Sequence, residues 1–244
     1  MVLDTDGVLL DSAALHARAW KEAFDPCLAA WSEDGRSQAP FDSDAEYRRH
    51  VDGRPRHDGA EAFLTSRGLH LPSGTPEDPP GCDTVRAVAA RKDQLFGALV
   101  EDGGVPVYPD TAPALEALRR AGVACAAVSA SRHARPLLQA RGLDRLLAAV
   151  VDGTDAARLR LPGKPDPALF LHAAGLLGAR PDDTAVVEDA EAGVRAARRG
   201  GFALVLGLDR TPDGRAAPRL REQGADLVLS DLITVVRRVW GVRV

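Results

Sequence analysis

The sequence contains few cysteines, and their spacing excludes two kinds of site. Cys27, Cys82 and Cys125 are the three cysteines among 244 residues, and no two of them form a Cys-x-x-Cys pair. An odd number of widely separated cysteines predicts neither a disulfide framework nor a zinc site. We therefore expect a protein of the reducing cytoplasm.

Long apolar runs and an excess of basic charge are also missing. No uninterrupted apolar stretch approaches the ~20 residues that a membrane-spanning helix needs. The formal net charge of −4 offers no basic field for nucleic acid, and the first residues lack the basic lead and apolar core of a secretion signal. We expect a cytoplasmic monomer that binds neither nucleic acid nor membranes. Only three residues precede Asp4, where a strand usually has ~5 or 6, so we hypothesise that the start of this sequence is shortened.

Lysine is scarce in an otherwise arginine-rich chain. Only Lys21, Lys92 and Lys164 are lysines among the 31 basic residues. A compact ammonium and a planar guanidinium serve different sites, so each lysine is a candidate for chemistry.

Two carboxylates stand directly after the first apolar run. Residues 1–3 are apolar, and Asp4, Thr5, Asp6 and Gly7 follow them. This pattern predicts a buried parallel strand whose carboxyl end opens into a loop, where doubly wound sheets bind ligands. Residues i and i+2 of a strand share a face, so we expect both acids at one rim. The alternative is an ordinary surface turn, because Asp and Gly are common turn formers.

A second pair of acids favours the strand. The apolar residues 184–187 end in Glu188 and Asp189, and Gly193 and a helical segment follow. Four carboxylates at two strand ends repel one another unless a cation neutralises them, and oxygen ligands with room for water suit Mg²⁺. The predicted magnesium ligands are Asp4, Asp6, Glu188 and Asp189.

From residue 105 onward, apolar runs alternate with helical periodicity. Strands are predicted at 123–128, near 150, at 184–187, 203–208 and 227–229, and helices at 111–121, 132–141, 166–177, 190–199, 215–223 and the C-terminus. Strands separated by helices of this length predict an α/β fold, a doubly wound, Rossmann-like parallel sheet covered on both faces. The strand at residues 1–3 belongs to the same sheet.

Residues 12–100 interrupt this alternation. Helices are predicted at 14–24, 44–51, 56–66 and 84–100, with loops at 31–43 and at the proline-rich 72–80. We expect an α/β core domain of residues 1–11 and 101–244, with an α-helical cap domain of residues 12–100 inserted into it.

Ser129 and Lys164 stand at or just beyond other predicted strand ends. Taken alone, a serine after a strand is usually a helix cap, and a loop lysine is usually solvated. Together with several carboxylates and Mg²⁺, however, a hydroxyl and an ammonium are the groups that bind and transfer a phosphoryl group. We therefore predict phosphoryl transfer at this rim.

The motifs at these strand ends resemble those of the haloacid dehalogenase superfamily of phosphotransferases, over nearly the whole chain. They are Asp4-Thr5-Asp6-Gly7-Val8, Ser129-Ala130-Ser131, Lys164-Pro165 and Glu188-Asp189-Ala190-Glu191-Ala192-Gly193. Within that superfamily, three segments of the insertion resemble the β-phosphoglucomutase group, which has a helical cap at this place. They are His16-Ala17-Arg18-Ala19-Trp20-Lys21, Gly53-Arg54-Pro55-Arg56 and Arg91-Lys92.

The resemblance implies a role for each residue at the rim. Asp4 would be the nucleophile that becomes an aspartyl phosphate, and Asp6 would be the general acid and base for the sugar hydroxyl. Ser129 and Lys164 would bind the oxygens of the phosphoryl group in transfer. The implied ligands of Mg²⁺ are Asp4, the backbone carbonyl of Asp6, Glu188 and Asp189.

The resemblance also implies a second binding site, for the phosphate that is not transferred. Arg56 of the cap, with Lys92 adding charge, and Ser131, Arg132 and His133 of the core would bind that phosphate. Arg132 and His133 depart from the Lys-Asn pair expected in this group: Arg132 keeps the charge, whereas His133 changes the hydrogen-bond geometry. The alternative for Arg56 is a solvated helix residue.

Two aromatic residues of the first helix complete the implied substrate-binding set. His16 would assist Asp6, and the alternative is a histidine satisfied within its own helix. The full implied set is His16, Trp20, Arg56, Lys92, Ser131, Arg132 and His133.

The resemblance predicts a Mg²⁺-dependent enzyme that interconverts β-D-glucose 1-phosphate and glucose 6-phosphate through an aspartyl phosphate and glucose 1,6-bisphosphate. The first alternative is a sugar-phosphate phosphatase on the same scaffold, in which water replaces the second sugar hydroxyl. A phosphorylatable receiver domain also places acids, a hydroxyl and a lysine at strand ends, but it is a compact unit without an insertion of roughly ninety residues. A dehalogenase is disfavoured by Asp6, which suits a proton donor.

Overall fold

Short parallel strands form a single sheet. The computed structural model describes residues 1–31, 38–211 and 213–241. Within these ranges the strands are β1 (Val2–Asp4), β2 (Ala126–Val128), β3 (Ala149–Val151), β4 (Ala185–Glu188), β5 (Leu204–Leu208) and β6 (Leu227–Leu229). Their spatial order is β3-β2-β1-β4-β5-β6, and each neighbouring pair is parallel.

Strand β1 lies at the point where the order of the sheet reverses. Leu3 pairs with Ala127 of β2 on one side and with Val187 of β4 on the other. The carboxyl ends of β1, β2 and β4 are therefore neighbours at the topological switch point, where doubly wound sheets bind ligands.

The helices fall into two groups along the chain. In chain order they are α1 (Ala13–Ala30), α2 (Arg56–Ser66), α3 (Val85–Gly103), α4 (Thr111–Arg120), α5 (Ala134–Ala140), α6 (Gly153–Leu159), α7 (Ala168–Leu176), α8 (Glu191–Arg199), α9 (Ala217–Glu222) and α10 (Leu232–Trp240). A π-helical segment spans Tyr47–Val51, and 3₁₀ turns span Asp144–Leu146 and Pro181–Asp183.

The chain divides into two units. The α/β unit comprises Met1–Asp11 and Pro106–Val244 and contains the sheet and α4 to α10. The helical unit comprises Ser12–Val105 and contains α1 to α3. The second boundary follows Val105, whereas the sequence pattern placed it after residue 100. The predicted fold class, a doubly wound parallel sheet with an inserted helical segment, is confirmed.

The core of the α/β unit consists of aliphatic strand residues and the helix faces that cover them. Val2, Val186 and Val205 lie on adjacent strands and are fully buried. Phe170 of α7 and Val194 of α8 belong to the same buried cluster. Strands that are covered on both faces need no polar side, which explains why these runs are almost continuously apolar.

Aromatic rings form the centre of the helical unit. The ring centroids of Phe24 in α1 and Phe63 in α2 are 4.3 Å apart, and Phe41 meets Phe63 edge-on at 4.9 Å. All three side chains are buried. Helix α3 begins at a capping threonine, because the side-chain oxygen of Thr84 accepts a hydrogen bond of 3.0 Å from the amide of Ala87.

The expectation that the chain has no disulfide is wrong. Cys27 of α1 and Cys82, in the loop before α3, form a disulfide with their Cα atoms 5.3 Å apart. Their separation of 55 residues gives no spacing signal, and it is the packing of the loop against α1 that brings the two thiols together. Cys125 remains a buried free thiol.

Most predicted elements lie within a few residues of their observed bounds, and one helix was missed. Helix α6 has seven residues, too few for a periodic pattern, and it depends on its first turn. The Asp152 carboxylate accepts hydrogen bonds from the amides of Thr154 and Asp155 at 2.8 and 3.1 Å. Residues 32–37 of the loop predicted at 31–43 lie outside the described residues. Among the described helices, none has the length and apolar character needed to cross a membrane.

Candidate active site

The loop after β1 is held by its own backbone and by β2. Asp4 is the last residue of the strand and is buried, at 4% exposure. The carbonyl of Thr5 accepts hydrogen bonds of 2.9 Å from the amides of Leu9 and Leu10, and its hydroxyl donates to the Val128 carbonyl at 3.1 Å. These contacts fix the tight turn in which Asp6 lies.

Gly7 allows this turn to pass close to the second acidic pair. Its φ angle is +78°, a left-handed conformation that favours glycine. A Cβ atom at this position would lie 1.8 Å from Oδ2 of Asp189. Only a residue without a side chain therefore lets the Asp6 loop and the Asp189 carboxylate occupy the same corner.

Ser129 follows β2 and faces the Asp6 loop. Its hydroxyl donates a hydrogen bond of 2.7 Å to Oδ2 of Asp6 and accepts one of 2.9 Å from the amide of Ser131. Gly153 packs against this turn, since its amide donates to the Ser131 carbonyl at 3.1 Å and an added Cβ would lie 2.5 Å from the Ala130 carbonyl oxygen. The serine hydroxyl is thus fixed beside a carboxylate rather than exposed as a surface cap.

Lys164 joins the two acidic strand ends. Its ammonium donates to Oδ1 of Asp4 and, at 2.6 Å, to Oε2 of Glu188, and the side chain is only 1% exposed. Burial lowers the pKa of Lys164, but the two carboxylates outweigh this effect and raise the pKa above its usual value. The lysine is therefore a fixed positive charge, 4.9 Å from the ring centroid of Phe170.

Asp4, Glu188 and Asp189 form a group that could hold a metal ion. One carboxylate oxygen from each lies within 4.8 Å of the others. Burial first, and then the Glu188 carboxylate, raise the pKa of Asp4 well above its usual value. One lysine cannot neutralise these acids together with Asp6, so the donor set fits a hard divalent cation that takes oxygen ligands.

Gly193 makes room for Glu188. A Cβ atom at this position in α8 would lie 2.1 Å from the Glu188 carboxyl group. Glu188 is fully buried, and its other oxygen accepts a hydrogen bond of 3.0 Å from the amide of Ala190. Gly193, at the end of the second acidic motif, therefore leaves the space that the buried Glu188 carboxylate occupies.

Three of the predicted substrate-binding residues meet within the helical unit. Lys92 Nζ lies 2.8 Å from Nδ1 of His16, which is hydrogen-bond distance. The His16 ring stacks on Phe96 with centroids 4.0 Å apart, and Lys92 lies over the Trp20 ring at 5.6 Å. Lys92 is buried at 6% exposure, so this lysine is not the solvated residue that a lone loop lysine would be.

The remaining predicted substrate-binding residues have different surroundings. Arg56, at the start of α2, donates a hydrogen bond of 2.6 Å to Asp93 of the same unit. In the α/β unit, the hydroxyl of Ser131 accepts from the amide of His133 at 3.2 Å. His133 is half-buried at the start of α5, whereas Arg132 is exposed.

The structure thus brings together all the residues predicted for catalysis and metal binding. They are Asp4, Asp6, Ser129, Lys164, Glu188 and Asp189. A carboxylate that touches a lysine and belongs to a candidate cation site, as Asp4 does, can attack phosphorus. A second carboxylate two residues later, Asp6, accepts from the Ser129 hydroxyl and can carry the proton of an oxygen nucleophile.

Sequence reasoning missed several residues that hold these groups in place. Thr5 ties the catalytic loop to β2, Gly153 supports the Ser129 turn, and Arg210 contacts the loop after Asp6. Thr5 stands inside the recognised motif and could have been found there. Gly153 and Arg210 lie outside every motif, and a single arginine among many gives no signal.

Comparison with known proteins supports this assignment. A model of the family described as "Hydrolase: haloacid dehalogenase-like hydrolase" matches residues 1–201. A protein of Mycobacterium tuberculosis named β-phosphoglucomutase is 44% identical over 232 residues, which cover 95% of this chain and 88% of that protein. Validoxylamine A 7′-phosphate phosphatase of Streptomyces hygroscopicus is 28% identical and covers 96% of this chain and 94% of its own length.

Comparison with solved structures finds the same fold in a protein that is also named β-phosphoglucomutase. The crystal structure of β-phosphoglucomutase from Clostridium difficile superposes with a TM-score of 0.72 at 20% identity, over 96% of this chain and 91% of that chain. At this identity the likeness concerns the fold alone. With the family model, the mycobacterial relative and the site geometry together, the chain is an enzyme, a phosphomutase or a phosphatase, and it belongs to the β-phosphoglucomutase-like group of the haloacid dehalogenase superfamily.

Proposed function

We propose that this protein is a Mg²⁺-dependent phosphomutase that interconverts β-D-glucose 1-phosphate and glucose 6-phosphate. The observation that carries the proposal is the contact of Lys164 with both Asp4 and Glu188 at the switch point of the sheet, in a chain so similar to a mycobacterial β-phosphoglucomutase. The similarity suggests the substrate, and the contact provides a nucleophile beside a fixed positive charge.

Asp4 carries the phosphoryl group in the proposed reaction. A hydroxyl of the sugar phosphate attacks the phosphorus of phospho-Asp4, the bond to the Asp4 oxygen breaks, and the hydroxyl proton passes to Asp6. This step gives glucose 1,6-bisphosphate. The bisphosphate then reorients so that its other phosphate faces Asp4. Asp4 attacks that phosphorus, and Asp6 returns the proton to the leaving sugar oxygen.

Ser129 and Lys164 bind the oxygens of the phosphoryl group in transfer. In this structure Ser129 donates to Asp6 and Lys164 donates to Asp4 and Glu188, so these donors already lie beside the reacting carboxylates. Preorganised donors of this kind stabilise the charge that develops on the phosphoryl oxygens.

The acids are the proposed metal ligands. The side chains of Asp4, Glu188 and Asp189 and the backbone carbonyl of Asp6 would hold Mg²⁺, which when bound would neutralise negative charge around the phosphoryl group. Removing divalent cations with an excess of chelator should abolish turnover, and adding Mg²⁺ should restore it. Asp189→Ala should weaken Mg²⁺ binding in direct titration calorimetry. Full activity in excess chelator would contradict this part of the proposal.

The phosphate that is not transferred needs its own ligands in a mutase. We assign this role to Arg56 and Lys92 of the helical unit and to Ser131, Arg132 and His133 of the α/β unit. His16 and Trp20 belong to the same substrate-binding set, because they surround Lys92. The support for these roles is the similarity of their segments to the β-phosphoglucomutase group.

A phosphatase is the second candidate function. The relative named validoxylamine A 7′-phosphate phosphatase matches nearly the whole chain. His133 also stands where the mutase group has an asparagine, which changes the ligands offered to a distal phosphate. In this reaction, water takes the place of the sugar hydroxyl.

One assay separates the two functions. The pure protein is incubated with β-glucose 1-phosphate, Mg²⁺ and a trace of glucose 1,6-bisphosphate while glucose 6-phosphate and free phosphate are followed together. A mutase should form glucose 6-phosphate much faster than phosphate, and only when the bisphosphate is present. Equal release of glucose and phosphate would identify a phosphatase.

Arg56→Ala tests the proposed ligand of the distal phosphate. Loss of a charged contact commonly costs ~2 to 5 kcal/mol when it is desolvated, so isomerisation should fall by more than about tenfold. Hydrolysis of a small ester such as p-nitrophenyl phosphate should hardly change, because that substrate has no second phosphate. Arg18→Ala is the matched control, since Arg18 also pairs with a carboxylate of the helical unit but is exposed. Equal losses on both substrates would contradict the role of Arg56.

A cytoplasmic location and a monomeric state remain parts of the proposal. The disulfide Cys27–Cys82 makes the location testable, because such cross-links are rare in reducing compartments. Trapping thiols in acid-quenched cells should find both cysteines reduced if the protein is cytoplasmic. Light scattering of the pure protein should give the mass of one chain.

A further inference from the structure

Arg210 follows β5 and contacts the backbone of the catalytic loop. Its Nε atom donates a hydrogen bond of 3.1 Å to the carbonyl of Gly7, and Nη2 donates one of 2.8 Å to the carbonyl of Val8. These two carbonyls follow Asp6 directly in the sequence. One guanidinium group therefore binds two consecutive peptide groups of the loop that carries the proposed acid and base.

The same guanidinium group is anchored from its other side. Nη1 and Nη2 lie 3.2 and 3.1 Å from the two carboxylate oxygens of Asp110, and the guanidinium carbon lies 3.7 Å from the ring centroid of Tyr108. Asp110 is itself fixed, because its carboxylate accepts a hydrogen bond of 2.6 Å from the amide of Leu232. The Arg210 side chain is 15% exposed, so water competes little for these bonds.

The bound carbonyls belong to the part of the loop that has least freedom to move. Gly7 adopts its left-handed conformation directly against the Asp189 carboxylate. A change in the orientation of the Gly7 peptide group would therefore displace Asp6 on one side and crowd Asp189 on the other. Internal hydrogen bonds of the loop, such as that from the Gly7 amide to the Leu10 carbonyl at 2.8 Å, do not fix these two carbonyls.

We propose that Arg210 is a positioning residue for phosphoryl transfer: it holds the Gly7 and Val8 carbonyls so that Asp6 keeps its place beside Ser129 and Gly7 keeps its place against Asp189. Arg210 contacts no reacting atom in this role. The inference rests on phosphoryl transfer at Asp4, and it does not depend on whether the acceptor is a sugar hydroxyl or water.

A planar guanidinium group is required by this geometry. Two adjacent carbonyls and a two-oxygen carboxylate occupy different edges of the fork, and the flat face rests on the Tyr108 ring. A lysine ammonium has neither the fork nor the flat face. Arg210→Lys should therefore behave like Arg210→Ala, and guanidinium ion added to the Ala variant should restore what was lost.

The first measurement is hydrogen exchange without substrate. In Arg210→Ala, amides of a peptide covering residues 5–10 should exchange about tenfold faster or more, whereas peptides covering β4 and β5 should be unchanged. Arg198→Ala is the matched control, because Arg198 also bonds a carbonyl, that of Gly224, and a carboxylate, that of Asp226, near the opposite end of the sheet. The control should leave residues 5–10 unchanged.

The second measurement is turnover of p-nitrophenyl phosphate and of β-glucose 1-phosphate. Displacement of a catalytic group by about 1 Å can cost ~100-fold, so kcat for the Arg210 variants should fall between about tenfold and a hundredfold while KM changes little. Millimolar guanidinium chloride should recover part of kcat for Arg210→Ala, and it should not affect Arg198→Ala.

Several outcomes would overturn the inference. They are unchanged exchange of residues 5–10, a uniform rise in exchange over the whole α/β unit, or a loss of kcat that guanidinium does not recover. Because exchange is read without substrate, it decides the question even for an ester that is turned over slowly. Failure of the mutase proposal would appear as free phosphate from β-glucose 1-phosphate in the unmodified protein, and it would leave the comparison of Arg210 variants intact.

Discussion

The helical unit and the α/β unit are stabilised by different means. Seven of the eleven Phe, Trp and Tyr residues of the chain lie in the helical unit, although it is the smaller of the two. There Phe24, Phe41 and Phe63 pack together and the disulfide Cys27–Cys82 closes a long loop. The α/β unit depends instead on the valines, alanines and leucines of its sheet, with few rings.

The two units also differ in what they bury. The α/β unit buries Asp4 and Glu188 with Lys164, which donates to both carboxylates. In the helical unit, Lys92 beside His16 is the one buried lysine or carboxylate among the described residues.

Burying charges costs several kcal/mol per ion before pairing. Two other buried carboxylates of the α/β unit, Asp152 and Asp209, accept hydrogen bonds from backbone amides instead. The cluster of paired charges at the switch point therefore indicates selection for function rather than for stability.

Replacing the nucleophile should have the largest effect and should separate function from stability. Asp4→Asn keeps the shape of the side chain but removes the nucleophile and one metal ligand, so turnover of every phosphate ester should be abolished. Folding should persist, because the substitution removes a charge that burial disfavours. Kinetics and circular dichroism check the two statements. Retention of even about a tenth of the activity would contradict the phosphoaspartate mechanism.

The next largest effect should come from filling the space beside Glu188. In Gly193→Ala, the new Cβ atom would collide with the carboxyl group at 2.1 Å, and Glu188 is too tightly buried to move aside without leaving Lys164. We expect activity to fall by about a hundredfold and the apparent affinity for Mg²⁺ to weaken. Titration calorimetry measures the metal affinity independently of turnover. Unchanged kinetics and metal binding would mean that Glu188 is more mobile than the structure indicates.

The sequence predicted the α/β unit and its site in some detail, for a local reason. Most catalytic residues stand at or just after the end of an apolar run, and parallel strands bring those ends together wherever the helices between them lie. Lys164 is the exception, because helix α6 separates it from the end of β3. Asp4, Ser129 and Glu188 could therefore be assigned to one rim from their order along the chain alone.

The parts that could not be predicted depend on contacts between distant segments. Cys27 and Cys82 are joined because a loop folds back on α1, and Arg210 is functional in our proposal because a loop after β5 reaches the turn after β1. Neither contact has a periodicity or spacing that the sequence displays. Helix α6 was missed for another reason, since its signal is one capped turn rather than a repeating pattern.

Removing the disulfide should destabilise the protein without changing the chemistry. Closing a loop of 55 residues stabilises the folded state by about 4 kcal/mol in the chain-entropy description. The double variant Cys27→Ala with Cys82→Ala should lose that amount in urea denaturation, and reductant should lower the stability of the unmodified protein to match. Cys125→Ala is the control, because it removes a thiol but no cross-link.

Thiol titration tests the same cross-link directly. The denatured, unreduced protein should offer one reactive thiol, that of Cys125, and three after reduction. Three thiols without reductant, or a double variant as stable as the oxidised protein, would contradict the cross-link.

The smallest effect should come from a glycine that the helical unit does not need. Gly97 lies inside α3, and a Cβ atom there would meet nothing within 4 Å. Gly97→Ala should therefore raise the free energy of unfolding by about 0.5 to 1 kcal/mol, because alanine loses less backbone entropy in a helix. Gly175→Ala in α7 is the matched variant of the α/β unit, since its Cβ is equally free. We expect both variants to be more stable than the unmodified protein, whereas Gly193→Ala should lose activity. That result would show that a helix glycine is needed only where the Glu188 carboxylate occupies the space of a side chain. A loss of stability in Gly97→Ala would mean that α3 carries a constraint at Gly97 that its open surroundings do not reveal.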